Sequence, residues 1–405
     1  MRRRSRPAPA VASEPEPVDD GLIDVDVLLA QYTVEELAAS ADEYFSRLDN
    51  WDVLLAKPFY SVHESPELLT SFGALLNGLE LSHGLTVLDF GVGSGWTSWM
   101  LSQLGCRVIA SDVSHAALRI ANERYARVPL VGNVTAPVLL HFDGHRLELE
   151  DESVDRVACN DAFHHVPNPS EVLAELARVL RPGGICVMSE PGPEHSLTPQ
   201  SQSEMRNFRV VERNTIVEET APQARAVGFE TVEVGVYLGL PTFVDAEDFA
   251  GTIDPASPVP NALVRSFLEN RRLIRMRKAG TAILDSRRRD ALAGSLQVDI
   301  TGDSVRVTVE NHGPAIWLQT PTDFGLVNVG AHLFDTEGRL LDFDFMRLRV
   351  QSGSAPIPPG TRLEIAADLP HLEAGNYRVE FDLVAEGVAW FSENGNPTVT
   401  IDLSR

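Results

Sequence analysis

Hydrophobic and polar positions divide the chain into two regions with different periods. Between Leu85 and about Arg277, short apolar runs alternate with segments whose apolar residues recur at helical spacing. After about residue 290, apolar residues recur at every second position, in short runs separated by turns rich in glycine and proline. These runs predict a hairpin that turns at Gly302-Asp303 and further short strands, among them Val327 to Phe334. The first pattern predicts a doubly wound α/β unit with a parallel sheet, and the second predicts an all-β sandwich.

These patterns predict three parts and one insertion. Residues 1–28, rich in proline, alanine and acidic side chains, are predicted to be a disordered tail. Residues 29–290 form the α/β unit and residues 295–405 the sandwich. Within the first unit, residues 240–271 lie between the last two predicted strands, where a short connection would be enough. They are predicted to be either a lid on the ligand side of the sheet or a cover over its edge.

Two helix starts precede the first predicted strand. Thr33 and Glu36 have the spacing of a capping box, in which each side chain caps the other residue's backbone N–H. Ser65 followed by Pro66 predicts an N-cap serine with proline at the first helical position.

Composition narrows the classes of partner. Lysine and arginine number 34 against 58 aspartates and glutamates, which gives a formal net charge of -24 and disfavours a nucleic-acid partner. Cys106, Cys159 and Cys186 lie in or beside predicted strands without disulfide or metal spacing, so we expect small buried thiols. No apolar run approaches the ~20 residues of a membrane span, and no secretory signal is visible, so a cytoplasmic protein is expected. Oligomeric state is not predictable from these features.

The stretch from Thr86 to Trp96 predicts a ligand-binding turn. A buried strand ends at Phe90, and Gly91, Gly93 and Gly95 follow before a helix begins. Glycine allows a ligand to approach the backbone closely and permits positive φ, and the free N–H groups of a helix start favour a negative group. Nicotinamide-binding enzymes also use such turns, so the turn alone does not define the ligand.

Further motifs occur in a fixed order along the chain. Asp112 ends the next predicted strand, Asp143-Gly144 follows the third, His164-His165 follows the fourth, and an Arg-Pro-Gly-Gly turn begins at Arg181. Over residues 80–192 this ordered set resembles the class I S-adenosylmethionine-dependent methyltransferases, in particular the small-molecule type 11 core. The resemblance implies a Rossmann-like seven-stranded sheet and S-adenosylmethionine as the cofactor.

The resemblance also implies roles for the motif residues. The glycine turn would take the methionine end of the cofactor, Asp112 the ribose hydroxyls and Asp143 the adenine amino group. Asp89, near a buried strand end, is expected to accept hydrogen bonds from the loop or from the cofactor ammonium. The full set of expected cofactor residues is Asp89, Gly91, Gly93, Gly95, Asp112, Val113, Asp143, Gly144 and Asn160.

Candidates for the chemistry follow the fourth and fifth strands. An alcohol acceptor must lose a proton, and histidine suits that task near neutral pH. His164, His165 and Glu190 are the candidate catalytic residues, with His145 a weaker one, and the histidine pair has loop shaping as its alternative role. No metal is expected, because no cluster shows metal-ligand spacing. In the resembling family the segment before the first strand folds over the cofactor, so Phe59 or Tyr60 either covers the ligand or packs a helix on the sheet.

The C-terminal region resembles the immunoglobulin-like sandwich modules attached to bacterial surface-polysaccharide enzymes and exporters, on residues 375–391. Trp390 and Phe391 there either stack on a sugar ring or fill the core. The leading hypothesis is therefore an S-adenosylmethionine-dependent methyltransferase acting on a small molecule or glycan, at oxygen, in sugar or surface-polysaccharide modification. The alternatives are a glycan- or partner-binding protein with a methyltransferase scaffold, and a nicotinamide oxidoreductase.

Overall fold

The fold was established from a computed structural model of the chain. The structure describes residues 21–132, 134–236, 269–282, 284–319, 324–351, 353 and 355–405. Most of the predicted insertion at residues 240–271, and residues 1–20 of the predicted tail, lie outside the described residues.

The described residues form nine α-helices. They are α1 (Val25–Gln31), α2 (Val34–Ser46), α3 (Asp52–Ala56), α4 (Ser65–Leu79), α5 (Trp96–Gln103), α6 (His115–Arg127), α7 (Pro169–Val179), α8 (Pro199–Phe208) and α9 (Val217–Ala226). All of them precede the last two strands of the first sheet. The all-β character predicted for the C-terminal region thus agrees with its described residues.

Strands make up the rest of the regular structure. The first sheet contains β1 (Thr86–Phe90), β2 (Arg107–Asp112), β3 (Val138–His141), β4 (Val154–Asn160), β5 (Leu180–Pro191), β6 (Phe229–Val234) and β7 (Arg271–Lys278). The C-terminal region contains β8 (Gly294–Thr301), β9 (Ser304–Asn311), β10 (Val327–Phe334), β11 (Leu340–Arg349), β12 (Arg362–Asp368), β13 (Asn376–Ala385), β14 (Ala389–Trp390) and β15 (Val399–Ser404).

The first sheet has the order β3-β2-β1-β4-β5-β7-β6. Its strands are parallel except β7, which pairs antiparallel with both β5 and β6. The order reverses between β1 and β4, so the carboxyl ends of these two neighbours form a crevice, which is where open α/β sheets bind ligands. This is a doubly wound, Rossmann-like seven-stranded sheet, as the sequence predicted.

Burial explains why the central strands read as continuous apolar runs. Strands β1 and β4 are buried along nearly their whole length, because helices cover both faces of the sheet. Apolar residues of β4, β5 and α7 form one core cluster, and those of β1 and α4 form another on the opposite face. The three cysteines are free and buried in this unit, as predicted.

Several local predictions hold and others need correction. The Thr33–Glu36 capping box opens α2 as expected. The predicted disordered tail is too long, because α1 begins at Val25, capped by the Asp24 carboxylate. Ser65 is the first residue of α4 and not its N-cap, since its hydroxyl donates to the Ser61 carbonyl.

Two further predictions in the α/β unit were incomplete. The Arg-Pro-Gly-Gly turn was placed before the fifth strand, but it lies inside β5, which already begins at Leu180. Helix α8 was not predicted at all. Its apolar positions are few, and it is fixed instead by the Thr198 side chain, which accepts from the Ser201 N–H.

Two sheets form the C-terminal unit. β8, β9 and β12 make one sheet, and β11, β10, β13, β14 and β15 make the other. Apolar side chains from both sheets share one core cluster, so the unit is a β-sandwich. The predicted hairpin at Gly302-Asp303 joins β8 to β9 with two residues, and Gly302 has φ 59°. The immunoglobulin-like assignment remains a prediction.

Trp390 and Phe391 divide between the two roles considered for them. Phe391 is fully buried and packs edge-to-face on Trp317, with ring centroids 5.6 Å apart. Trp390 is only partly buried and lies beside His332 and the exposed ring of Phe343. The core role is therefore confirmed for Phe391 and does not apply to Trp390.

Side chains from the linker join the two units. Arg287 donates from Nη1 to the Gly84 carbonyl over 2.6 Å and pairs with Asp285 at 2.6 Å. Phe324, from the sandwich, stacks on His83 next to β1, with ring centroids 5.0 Å apart. These contacts lie at the amino end of β1 and leave its carboxyl end open to the crevice. Among the described helices, none has the length and apolar character required to cross a membrane.

Candidate active site

One large cavity lies at the carboxyl ends of the parallel strands. It has a volume of about 730 Å³, within the range of small-molecule sites. Its walls come from the turn after β1, the ends of β2 and β4, the segment between β5 and α9, helices α2 and α3, and the start of β7. Neither Phe59 nor Tyr60 lines it, and Phe59 is exposed, so the described structure supports neither role proposed for Phe59.

The three glycines of the turn differ in what they accommodate. All have positive φ, at 77°, 50° and 76° for Gly91, Gly93 and Gly95. A Cβ at Gly91 would lie 2.2 Å from the Ala162 Cβ, and one at Gly95 would press on Ala121 of α6 at 2.9 Å. A Cβ at Gly93 would meet nothing within 4 Å. Gly91 and Gly95 are thus required by close packing, whereas Gly93 borders open space within the cavity wall.

Asp112 connects the end of β2 to this turn. Its Oδ2 accepts from the Gly93 N–H at 2.9 Å, and its Oδ1 accepts from the Ser114 N–H at 2.9 Å. Burial raises the pKa of Asp112, although these two backbone N–H groups oppose that shift. Each carboxylate oxygen has a second lone pair, so a carboxylate that lines the cavity can still accept from a ligand hydroxyl.

Asp89 is placed differently from its predicted role. It is 1% exposed, it does not line the cavity, and its Oδ2 has no hydrogen-bond partner among the described residues. Burial raises the pKa of Asp89 to about 7, against hydrogen bonding from Ser98 of α5. Ser98 belongs to α5 and thus to neither of the two expected partners, the loop and the cofactor ammonium. The contact with a cofactor ammonium stays a prediction.

The other expected cofactor residues lie around the opening or just outside it. Val113, Gly144 and Asn160 line the cavity, and Asn160 Oδ1 is buried without a hydrogen-bond partner among the described residues. Asp143 is exposed and does not line the cavity, because its Oδ1 accepts from the N–H groups of His145 and Arg146. Its carboxylate therefore shapes the turn that presents Gly144.

Glu190 cannot act on a ligand directly. It is fully buried and absent from the cavity wall, and it accepts from the backbone N–H groups of Ala162, Phe163 and His164. Burial would raise the pKa of Glu190, but the hydrogen bond from His164 and the nearby backbone donors lower it to about 2. Its prediction as a catalytic base is corrected: the Glu190 carboxylate lies behind His164, where it fixes the orientation of that ring.

The two predicted histidines do line the cavity. His164 Nδ1 lies 2.7 Å from Glu190 Oε2, so this ring nitrogen donates to the carboxylate and Nε2 remains for other contacts. His165 Nδ1 lies 2.7 Å from the Val211 carbonyl, with the two imidazole centroids 3.8 Å apart. His145, the weaker candidate, is outside the cavity wall and pairs with Glu171.

Residues that the sequence did not single out complete this end of the cavity. His195 Nε2 lies 2.6 Å from Glu212 Oε2, and His165 Nδ1 lies 3.4 Å from Glu212 Oε1. Burial raises the pKa of Glu204 to about 7, helped by the adjacent charge of Glu212. His195, Glu204 and Glu212 all line the cavity, beside the predicted His165. The only signal in the sequence was their polarity between two apolar segments, which is also typical of a surface loop.

Arg271 is a further residue that sequence reasoning missed. From the start of β7 its Nη1 pairs with Asp161 Oδ1 at 2.5 Å, and its Nη2 donates to the Ser189 hydroxyl at 2.8 Å. Asp161 is held at φ 51°, in the left-handed region that non-glycine residues seldom occupy. Backbone strain of this kind clusters at functional sites, and here it fixes the exit of β4 beside the histidines.

The glycine turn and the acid at the end of β2 lie at the crevice of a Rossmann-like seven-stranded sheet. Residues 88–188 match the family described as a methyltransferase domain. That match covers β1 to β5 and leaves the sandwich outside it.

Curated relatives are similar over the same region. Methyltransferase GfsG of Streptomyces halstedii is 34% identical over 111 residues, which are 27% of this chain and 39% of that protein. A demethylmenaquinone methyltransferase of Clavibacter sepedonicus is 35% identical over 111 residues, 27% of this chain and 43% of the relative. A ubiquinone biosynthesis O-methyltransferase of Pasteurella multocida is 29% identical, covering 32% and 55% of the two chains. The chain therefore spans about half or less of the length of these relatives.

Solved structures are similar at lower identity. An S-adenosylmethionine-dependent methyltransferase from Mesorhizobium loti is 22% identical with a TM-score of 0.39, over 52% of this chain and 98% of that one.

Proposed function

We propose that this protein is an S-adenosylmethionine-dependent methyltransferase that methylates a small molecule or a glycan at oxygen. One observation carries the proposal: the glycine turn with Asp112 and the His164–His165 pair open into the same cavity. A cofactor end and an acceptor end thus share one space, as transfer between two bound molecules requires.

The residues of the cavity fit the cofactor. Gly93 borders open space with positive φ, so a ligand can approach its backbone closely. Asn160 Oδ1 is buried without a described partner, and leaving such an atom unpaired costs about 1–3 kcal/mol, so a ligand donor there would be stabilising. The residues proposed to contact the cofactor are Gly91, Gly93, Asp112, Val113, Gly144 and Asn160. Asp89, Gly95 and Asp143 are proposed to support the surrounding backbone.

The cofactor supplies a methyl group on a sulfonium, which is already a strongly activated donor. An oxygen–carbon bond forms, the carbon–sulfur bond breaks, and the acceptor hydroxyl releases a proton. The protein's tasks are to hold the two molecules in line, exclude water and take up that proton. We place the last task in the cluster around His164 and His165, which lies at the acceptor end of the cavity.

Titration calorimetry with S-adenosylmethionine tests the proposal. We expect one bound cofactor per chain with micromolar affinity, and no comparable heat with NADH. Transfer is then measured by mass spectrometry of metabolite and glycan pools, as the added mass of one CH₂ group. Tight binding of NADH without affinity for the sulfonium compound would instead favour an oxidoreductase.

A second candidate function depends on the sandwich. Trp390 lies partly exposed beside His332 and Phe343, and Arg347 stacks on its ring at 4.8 Å. Aromatic faces beside charged side chains suit sugar rings, so the alternative is a glycan-binding protein whose methyltransferase core is a scaffold. Glycan-array binding by the full chain that disappears in Trp390→Ala, without methyl transfer to any acceptor, would support it.

The names of the curated relatives support an acceptor of small size. One of them is named for O-methylation in ubiquinone biosynthesis, which agrees with transfer to oxygen. A role in surface-polysaccharide modification, a cytoplasmic location and the division between the two units at residues 290–295 remain proposals from the sequence.

A further inference from the structure

Three side chains at the acceptor end of the cavity converge on one point. His164, His165 and Glu212 each present a possible ligand atom, and these atoms all lie within 4.8 Å of one another. Two ligands of one ion, with bonds of about 2.1 Å, are at most about 4.2 Å apart. Neighbouring ligands of a tetrahedral ion are closer, about 3.4 Å apart, so the three side chains around the open cavity would have to approach one another by up to about 1.4 Å to complete a three-ligand site.

Glu212 supplies an independent observation. The residue is 3% exposed and lines the cavity, yet its Oε1 has no hydrogen-bond partner among the described residues. Its Oε2 is held by His195 Nε2 at 2.6 Å and by the Ser201 hydroxyl at 3.1 Å. One oxygen is thus fixed from behind while the other faces the histidines, 3.4 Å from His165 Nδ1.

Hydrogen bonds behind both histidines set the ring nitrogen that would face an ion. Glu190 accepts from His164 Nδ1, and the Val211 carbonyl lies 2.7 Å from His165 Nδ1. Metal-binding histidines commonly donate their other ring N–H to a carboxylate or a backbone carbonyl, which fixes the tautomer and orientation. Both arrangements of that kind are present here, and the one on His164 leaves Nε2 for coordination. On His165 the Val211 carbonyl and Glu212 Oε1 both lie beside Nδ1, so the ring would have to turn for Nε2 to face an ion held by Glu212.

We propose that His164, His165 and Glu212 bind a divalent transition-metal cation at the acceptor end of the cavity. Two imidazoles and one carboxylate suit zinc, iron, cobalt or manganese and leave further positions for water or a ligand oxygen. If the proposed methyl transfer is correct, an acceptor hydroxyl on the ion would lose its proton more easily. The predicted histidines would then act through the ion as its ligands, with His195 beside them to receive the proton.

A different arrangement would satisfy the same atoms without an ion. Glu204 also lies against Glu212, and a proton shared by the two carboxyl groups would occupy Oε1. The two arrangements differ in what they require. An ion needs both histidines and Glu212 but not a protonated Glu204, whereas the shared proton needs the two carboxyl groups and neither histidine.

The test uses the full chain, stripped of metal with a chelator and titrated with Co²⁺ in the absence of S-adenosylmethionine. We expect one ion per chain with a visible absorption band. Glu212→Gln and His165→Ala should each weaken binding by at least about 10–100-fold, whereas Glu204→Gln should change it little. His115→Asn removes half of the exposed His115–His141 pair and should leave the stoichiometry unchanged.

Absence of stoichiometric Co²⁺ binding, or binding that survives Glu212→Gln, would overturn the inference. So would binding that is lost only in His115→Asn, because the ion would then be held at the surface. Titration with S-adenosylmethionine is carried out separately on the same stripped protein. Cofactor binding without metal binding would refute the metal site and leave the proposed methyltransferase function standing. Metal binding without cofactor binding would support the metal site and refute the proposed function.

Discussion

The α/β unit and the sandwich both have dry apolar cores, but they differ in which charges they bury. Among the described residues, the sandwich buries only the carboxylate of Asp382, whereas the first unit buries six, those of Asp89, Asp112, Asp155, Glu175, Glu190 and Glu212. Burying a charge is costly unless it is paired or hydrogen-bonded. The sandwich therefore has the composition expected from stability alone, while the α/β unit retains costly groups around one cavity.

This difference places the chemistry in the first unit. Four of these carboxylates belong to two sets, one around the glycine turn and one around the histidines, and both sets adjoin the same space. The other two, Asp155 and Glu175, are away from the cavity and pair with Arg181 and Arg178. Four measurements test whether the sandwich is stabilised by apolar packing and whether the α/β unit loses stability through its buried charges.

The largest effect is expected in the sandwich core. Phe391→Ala removes a fully buried ring that packs on Trp317, which should lower the free energy of unfolding by about 3–5 kcal/mol. Phe343→Ala, at a ring that is 56% exposed, should change it by less than about 0.5 kcal/mol. Calorimetric unfolding compares the two variants. An equal loss in both would show that the sandwich is not held by its core.

The next effect concerns the pH dependence of the α/β unit. Burial raises the pKa of Asp89 to about 7 in the folded chain, from an ordinary value of 3.8, so the folded chain keeps this proton to higher pH than the unfolded chain does. Its contribution to stability is therefore present at low pH and is lost as the pH rises towards 7. Between pH 5 and pH 8 the wild type should lose about 2–3 kcal/mol to this group, a loss that Asp89→Asn avoids.

Urea unfolding of both proteins at the two pH values measures that difference. If wild type and Asp89→Asn lose the same stability between pH 5 and pH 8, the buried carboxylate carries no cost. The two units would then not differ in the cost of buried charge.

A third prediction compares two carboxylates of the cofactor end. Asp112→Ala should weaken S-adenosylmethionine binding by about 1–3 kcal/mol, because Asp112 lines the cavity and braces Gly93. Asp143→Ala should weaken it less, because that carboxylate is exposed and faces its own turn. Titration calorimetry at fixed pH gives both values. A larger effect at Asp143 would restore its predicted contact with the adenine amino group.

The smallest effect tests whether the two units communicate. His83 and Phe324 stack across the boundary between them, and such pairs contribute about 0.5–1.5 kcal/mol beyond their area. A double-mutant cycle with His83→Ala and Phe324→Ala should recover a coupling of that size in the unfolding free energy. Zero coupling would indicate that the sandwich and the α/β unit are energetically independent at this contact.

Much of the fold was predictable because it depends on local pattern. The hairpin at Gly302 and the bounds of β10 follow directly from the alternation of apolar residues. Helix α8 and strand β14 were missed, since α8 has few apolar positions and β14 has two residues. Both depend on neighbours that are remote in sequence.

The site divides in the same way. Its cofactor end follows from one contiguous turn and from Asp112, whose position at a strand end is readable from the alternation of elements. The acceptor end was only half visible: His164 and His165 are adjacent in the chain, but Glu212 lies 47 positions after His165. No spacing rule connects residues that meet only after β5 and α8 have folded back over the histidines.

The two kinds of unit, the glycine turn and the acidic strand end are all visible in the sequence, because the spacing of apolar residues and the glycines affect the backbone within a few residues of themselves. Which carboxylates face the cavity depends on the tertiary structure and could not be predicted from the sequence. In the folded chain Glu190 lies behind His164, Asp89 accepts from Ser98 of α5, and Glu212 lies beside the histidines. The physical reason is that the direction of a side chain at a strand end depends on the donors that surround it, and those donors come from distant segments.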